Sequence, residues 1–198
     1  MLKCCLDCIF GNTRDQANNE VIYNTQVNGH SQEAPPWPQP RNESEIMFVL
    51  PRKLNIGDKI SIGGVLKANP KEMAINLIAG NTSPDYQNIA CRFEAIFPND
   101  VNNENRIIIK VIHNGYEEIL KGNYEEHLAT DLFPEADFTF GFTLRIPNSN
   151  YGDIPIMNLY VSGEYVHQYQ IKHDLSDIRY LMLSGDVEKV QKLDFDFS

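Results

Sequence analysis

Phe138-Thr139-Phe140-Gly141-Phe142-Thr143-Leu144-Arg145-Ile146 alternates apolar and polar or small residues without a break. Successive side chains of an extended chain point to opposite faces. This period of two therefore gathers Phe138, Phe140, Phe142, Leu144 and Ile146 on one face and Thr139, Thr143 and Arg145 on the other. The stretch is expected to be a half-buried strand with its Phe–Leu–Ile face in the core. Working outward, Ile60 with Ile62, Ile75 with Leu77, and Leu159 with Val161 repeat the pattern. Turn-forming clusters separate the runs: Asn55-Ile56-Gly57-Asp58, Gly80-Asn81-Thr82-Ser83-Pro84, Pro98-Asn99-Asp100, His113-Asn114-Gly115 and Pro147-Asn148-Ser149. Many short strands without a long amphipathic helix or an internal repeat predict an all-β sandwich or barrel from Ile46 onward, with at most one short helical turn.

Upstream of Ile46 the composition changes. Asn, Gln, Pro and Gly crowd the chain from Gly11 to Ser44, and Pro35-Pro36-Trp37-Pro38-Gln39-Pro40 favours polyproline II over a central strand. Low apolar content does not offset the entropy of ordering. Residues 1–45 are therefore expected to be a disordered extension making few contacts with a single domain over 46–198.

The totals agree with one domain and a tail. The chain has 198 residues, 42% of them hydrophobic. A domain of about 150 residues buries roughly 70% of the surface its unfolded chain exposes, enough for a core without staples. The net charge of -10 opposes binding to nucleic-acid phosphates and to anionic membranes. No apolar run reaches the roughly 18 residues of a membrane span, and Asp7 interrupts what would be a signal sequence, so synthesis in the cytoplasm is expected. Cys4, Cys5 and Cys8 cluster at the start while Cys91 lies alone, which excludes a disulfide framework within the domain. Cys5-x-x-Cys8 lacks the second pair that a structural zinc site needs. With Leu2, Leu6, Ile9 and Phe10 beside them, Cys4, Cys5 and Cys8 are candidates for S-palmitoylation and membrane association.

The order of motifs resembles the galectin family. Pro51-Arg52-Lys53-Leu54-Asn55-Ile56-Gly57-Asp58-Lys59-Ile60-Ser61-Ile62-Gly63-Gly64 is similar to the family's opening P-x-x-L-x-x-G-D-x-I-x-I-x-G. Ile75-Asn76-Leu77-Ile78-Ala79-Gly80 resembles I-N-L-x-x-G, and Asn88-Ile89-Ala90-Cys91-Arg92-Phe93 resembles D-I-A-L-H-F. Leu159-Tyr160-Val161-Ser162-Gly163-Glu164 and Leu181-Met182-Leu183-Ser184-Gly185-Asp186-Val187 resemble V-x-V-N-G-E and L-x-I-x-G-D-V. These motifs span about residues 46 to 192 in family order. The resemblance, to a nematode-like galectin with a degenerate sugar site, implies a two-sheet antiparallel jelly-roll sandwich of the galectin/concanavalin type. It implies a galactoside groove on the concave sheet, glycan or glycoprotein partners, possible homodimers, no cofactor, and secretion by an unconventional route.

The resemblance also locates the groove and shows where this chain departs from the pattern. The family's H-F-N-P-R-F falls on Arg92-Phe93-Glu94-Ala95-Ile96-Phe97, so His, Asn and Arg are replaced by Arg92, Glu94 and Ile96. Arg92 and Glu94 share one face and are expected to pair with each other. The W-G-x-E-x-R motif, counted back from Leu132-Phe133, puts Glu125 on the acid, His127 on the arginine and Gly122 on the tryptophan. Tyr116 or Tyr124 is then the nearest ring to stack under a sugar. The family's V-x-N asparagine falls between Ile109 and Val111, where no Asn stands. The expected site is therefore Arg92, Glu94, Tyr116, Tyr124, Glu125 and His127, with altered or weakened galactoside recognition, or with none and a role in protein contacts instead.

Catalysis is not expected. Glu117-Glu118 and Glu125-Glu126 do not offer two acids facing one cleft, since strand neighbours point to opposite faces. The E-x-D-x-E triad of laminarinase-type hydrolases is missing, because Glu135-Ala136-Asp137 is followed by Phe138 and Thr139. The histidines His30, His113, His127, His167 and His173 show no metal-ligand spacing, and Cys91 follows the core phase rather than a reactive one.

Overall fold

A computed structural model describes residues 45–146 and 154–198. The expected N-terminal extension, the Cys4, Cys5 and Cys8 cluster and the Pro147-Asn148-Ser149 turn lie outside the described residues. Eleven strands follow in chain order. They are β1 (Ile46–Val49), β2 (Lys59–Leu66), β3 (Glu72–Ala79), β4 (Asp85–Ile96), β5 (Arg106–His113), β6 (Tyr116–Ile119), β7 (Asp137–Arg145), β8 (Ile156–Val161), β9 (Glu164–Gln170), β10 (Ile178–Gly185) and β11 (Val187–Asp196). A six-stranded sheet runs β1-β10-β3-β4-β5-β6 and a five-stranded sheet runs β11-β2-β7-β8-β9, all neighbours antiparallel.

The alternation read in the sequence is the burial pattern of the strands. Phe138, Phe140, Phe142 and Leu144 of β7 are buried, while Thr139 and Arg145 are exposed and Thr143 is half-buried. They meet the inward face of β4, where Phe93 lies 4.9 Å from Phe140 between ring centroids. Burial of such a ring contributes about 1.5–3 kcal/mol. Ile146 departs from expectation: it is 41% exposed. β7 and its pairing with β8 end at Arg145, so Ile146 lies just beyond the strand.

Two-residue hairpins set the register at both sheets. Asn114 and Gly115, with φ of 51° and 79°, turn β5 into β6, and Ser162 and Gly163, with φ of 51° and 88°, turn β8 into β9. Asp58, only 1% exposed, ties the start of β2 to the chain's end. It accepts hydrogen bonds from Arg52 Nη2 at 2.7 Å, the Asn55 amide at 2.8 Å and the Ser198 amide at 3.1 Å.

The helical content exceeds the single turn expected. Short turns lie at Asn123–Glu126, Ala129–Leu132 and Leu175–Asp177. The first two fold up the long connection from β6 to β7 and bury Tyr124, Ala129 and Leu132 against the core. Among the described residues no helix is long and apolar enough to cross a membrane.

Candidate carbohydrate site

β4 has two unlike faces. Cys91, Phe93 and Ala95 point inward and are at most 2% exposed. Burial pushes the Cys91 thiol up to about 12, which keeps it in the unreactive thiol form near neutral pH. Arg92, Glu94 and Ile96 therefore point outward from the six-stranded sheet.

The expected Arg92–Glu94 pairing is present, with Arg92 Nε donating to Glu94 Oε1. The structure adds partners from neighbouring strands. Lys110 of β5 stands opposite Arg92 and places its Nζ 3.2 Å from Glu94 Oε2 and 3.3 Å from Glu117 of β6. Arg92 Nη1 also donates to Asn76 Oδ1 of β3 at 3.3 Å. Arg92, Glu94, Lys110 and Glu117 thus form a row of alternating charge, with Glu94 and Lys110 side chains only 15% and 17% exposed. Asn76 is wholly buried beneath it, and among the described residues its Nδ2 has no partner. Ile96 follows on the same face, opposite Glu72 and Arg106.

Sequence reasoning missed Lys110, Glu117 and Asn76. The signal for Lys110 was there: Ile107, Ile109 and Val111 take the inward phase, which leaves Lys110 outward. It holds the place between Ile109 and Val111 where an asparagine was sought.

The other expected residues are not gathered here. Tyr124 is 1% exposed, its hydroxyl donates to the Leu120 carbonyl, and its ring meets His167 edge-on at 4.9 Å. A ring with no free face offers no sugar platform. Burial raises the Tyr124 phenol pKa. Tyr116 is 83% exposed but pairs with His113, one step out of phase with the Ile112–Glu117 and Lys110–Ile119 pairs. The pleat directs it away from Arg92 and Glu94. Glu125 sits on an exposed helical turn, where its bond from Lys121 Nζ at 3.0 Å holds its carboxyl below the ordinary range. His127 closes that turn. Among the described residues, no hydrogen bond or ion pair joins Glu125 or His127 to Arg92 or Glu94.

Gly122 is the position counted to the family tryptophan. Its backbone is extended, so conformation does not demand glycine, but a Cβ there would lie 2.5 Å from His167 Cε1. The imidazole of β9 fills the space a larger side chain would need. Burial lowers the His167 pKa, which favours the neutral ring.

A family model, described as galactoside-binding lectin, matches residues 45–195. The chain belongs to the galectin family. No curated protein is similar enough in sequence to count as a match. Solved structures share the fold at low identity. A galectin of Caenorhabditis elegans has 12% identity and a TM-score of 0.52, covering 78% of this chain and 92% of that one. A toad ovary galectin in complex with thio-digalactose has 15% identity and a TM-score of 0.53, covering 78% and 100%. A homodimeric agglutinin from chicken liver has 12% identity and a TM-score of 0.50, covering 77% and 99%. The family is one of lectins rather than enzymes, and glycans are the partners it implies. Glu117 and Glu118 take opposite faces of β6, one bound to Lys110 and the other to Lys172. Among the described residues, no group of His, Cys, Asp or Glu is arranged to hold a metal ion.

Proposed function

We propose that this galectin binds a galactoside-containing glycan through the outer face of its six-stranded sheet, with specificity shifted away from lactose. The observation that carries the reading is the charged row Arg92–Glu94–Lys110–Glu117 beside Ile96. Arg92 and Lys110 can donate to sugar hydroxyls and Glu94 and Glu117 can accept from them, so the face keeps hydrogen-bonding capacity. Each donor is already engaged by a carboxylate, and a sugar must displace those bonds. Ile96 supplies no donor, and neither Tyr116 nor Tyr124 lies under the face. Each hydroxyl left unpaired costs about 1–3 kcal/mol, so two such losses weaken lactose by about thirtyfold or more.

Calorimetric titration of the full chain with lactose, sialyllactose and a sulfated galactoside tests this. Weak or undetectable lactose binding is expected, with any tighter glycan lost on Arg92→Ala. Micromolar lactose affinity would overturn the reading. The mutual saturation of the charged row favours a second reading, a galectin that no longer binds sugar and acts through protein contacts; silence across all galactosides would select it. Like the chicken liver agglutinin, the protein is proposed to form a homodimer, read by sedimentation. Acylation at Cys4, Cys5 and Cys8 is proposed to hold it at membranes, read by hydroxylamine-sensitive labelling.

A further inference from the structure

His173 ties together parts of the sandwich that are far apart in sequence. It lies in the connection between β9 and the Leu175–Asp177 turn and is only 8% exposed. Its Nε2 stands 2.9 Å from the Ile112 carbonyl oxygen of β5. A carbonyl only accepts, so Nε2 carries the proton and Nδ1 is the basic atom of the neutral ring. Nδ1 is buried and, among the described residues, has no partner. The ring also meets His113, the last residue of β5, edge-on at 5.0 Å between centroids. The preceding residue makes a second tie, with Lys172 Nζ 2.5 Å from Glu118 Oε2 of β6. Side by side, Lys172 and His173 hold the β5–β6 hairpin.

That hairpin is weakly held otherwise. β6 is an edge strand of four residues, paired only with β5 and exposed along its whole length. A strand that buries no side chain opens at low cost. Yet β6 supplies Glu117 to Lys110 in the charged row.

A proton on Nδ1 puts a charge and an unpaired N–H in a buried position, which is costly. The groups around it do not offset that cost. His113 faces the ring from β5, and its positive form opposes a second charge. Lys172 repels it too, and Glu118 is engaged by Lys172. Asp85, Asp174 and Asp177 line the same recess. Asp85 accepts from the Gln87 amide and Asn88 Nδ2, and Asp174 from the Ser176 amide. Among the described residues, no ion pair joins His173 to any of these carboxylates. Burial accordingly lowers the His173 pKa.

We propose that His173 is a proton-operated latch on the β5–β6 hairpin. Neutral, the ring sits against Ile112 and the hairpin is closed. Protonated, the ring leaves for water, the Lys172–Glu118 tie goes with it, and β6 loosens together with Glu117. The closed state is fully favoured above the ordinary histidine value near 6.5 and is lost as pH falls below it. Release of Glu117 leaves Lys110 with Glu94 alone, so acid alters the face proposed to meet a glycan. That consequence rests on the proposed function; the latch does not.

The test is two-dimensional NMR of the full chain, without glycan, from about pH 8 to about pH 4.5, a range that spans histidine titration. The readouts are the His173 ring signals and the backbone amides of Tyr116, Glu117, Glu118 and Ile119. As the ring takes up its proton, the β6 amides should move toward unstructured positions with the same midpoint, while those of β7 stay in place. His173→Gln keeps a donor for Ile112 but does not titrate, and should leave β6 unmoved over the range. His113→Gln removes the opposing charge and should raise the midpoint, a second check that does not depend on the first variant folding. The proposal is overturned if His173 titrates while β6 stays fixed, if β6 still moves in His173→Gln, if all strands change together, or if His113→Gln leaves the midpoint where it was. Because no glycan is added, failure of the groove reading leaves this result intact, and failure of the latch leaves the Arg92→Ala titration intact.

Discussion

Along β4, the inward residues Cys91, Phe93 and Ala95 serve the sandwich core, whereas the outward residues Arg92, Glu94 and Ile96 lie on the face proposed to meet a glycan. Both sets belong to one strand and alternate residue by residue, so backbone geometry does not separate them. What does is the consequence of change. An inward side chain is packed by the opposite sheet, and altering its volume leaves a cavity or a clash. An outward one touches solvent, its neighbours and a ligand, and its replacement is tolerated if the charges find partners. The fold is accordingly shared with solved galectins at only 12–15% identity.

The strongest way to break that contrast is Phe93→Ala. Phe93 is wholly buried, with ring contacts to Phe133 at 6.2 Å and Phe140 at 4.9 Å. Urea denaturation should show a loss of about 3–5 kcal/mol. A loss under about 1 kcal/mol would mean that the inward face is not what holds the sandwich.

Gly122→Ala should come next. The added methyl must displace the His167 ring, at an expected loss of about 1–3 kcal/mol. Pairing it with His167→Ala should give a double-mutant cycle with a clear favourable coupling. Additive losses would show that the imidazole is not what excludes a side chain at this position.

Glu94→Ala sharpens the contrast from the outward side. It removes a partly exposed carboxylate shared by Arg92 and Lys110, while Lys110 keeps Glu117. Thermal melts should report a change of about 1 kcal/mol or less, shrinking further in high salt. A loss as large as that of Phe93→Ala would make the charged row a structural element.

The smallest effect is a pH dependence. Burial lowers the pKa of both His167 and His173, and His113 beside His173 adds to it there. The unfolded chain thus binds these protons more readily than the folded one. Stability should be full above the ordinary histidine value near 6.5 and fall as pH drops below it. His173→Gln should flatten that acid slope in melting temperature; an unchanged slope would remove His173 from the account.

Much of the architecture was legible in local pattern. Alternation is a property of a single strand, so residue order alone determined that the domain is all-β, that Phe138, Phe140, Phe142 and Leu144 face inward, and that Arg92 and Glu94 share a face and can pair. Which strands lie side by side is a long-range matter, set by hairpins, bulges and the closing of one sheet on the other. Only the tertiary structure brought Asn76, Lys110 and Glu117 to Arg92 and Glu94 from three other strands. It alone put Tyr124 in the core, set His167 against Gly122, and ended β7 one residue short of Ile146. Each of those outcomes depends on residues distant in sequence competing for the same space, which no repeat along one strand encodes.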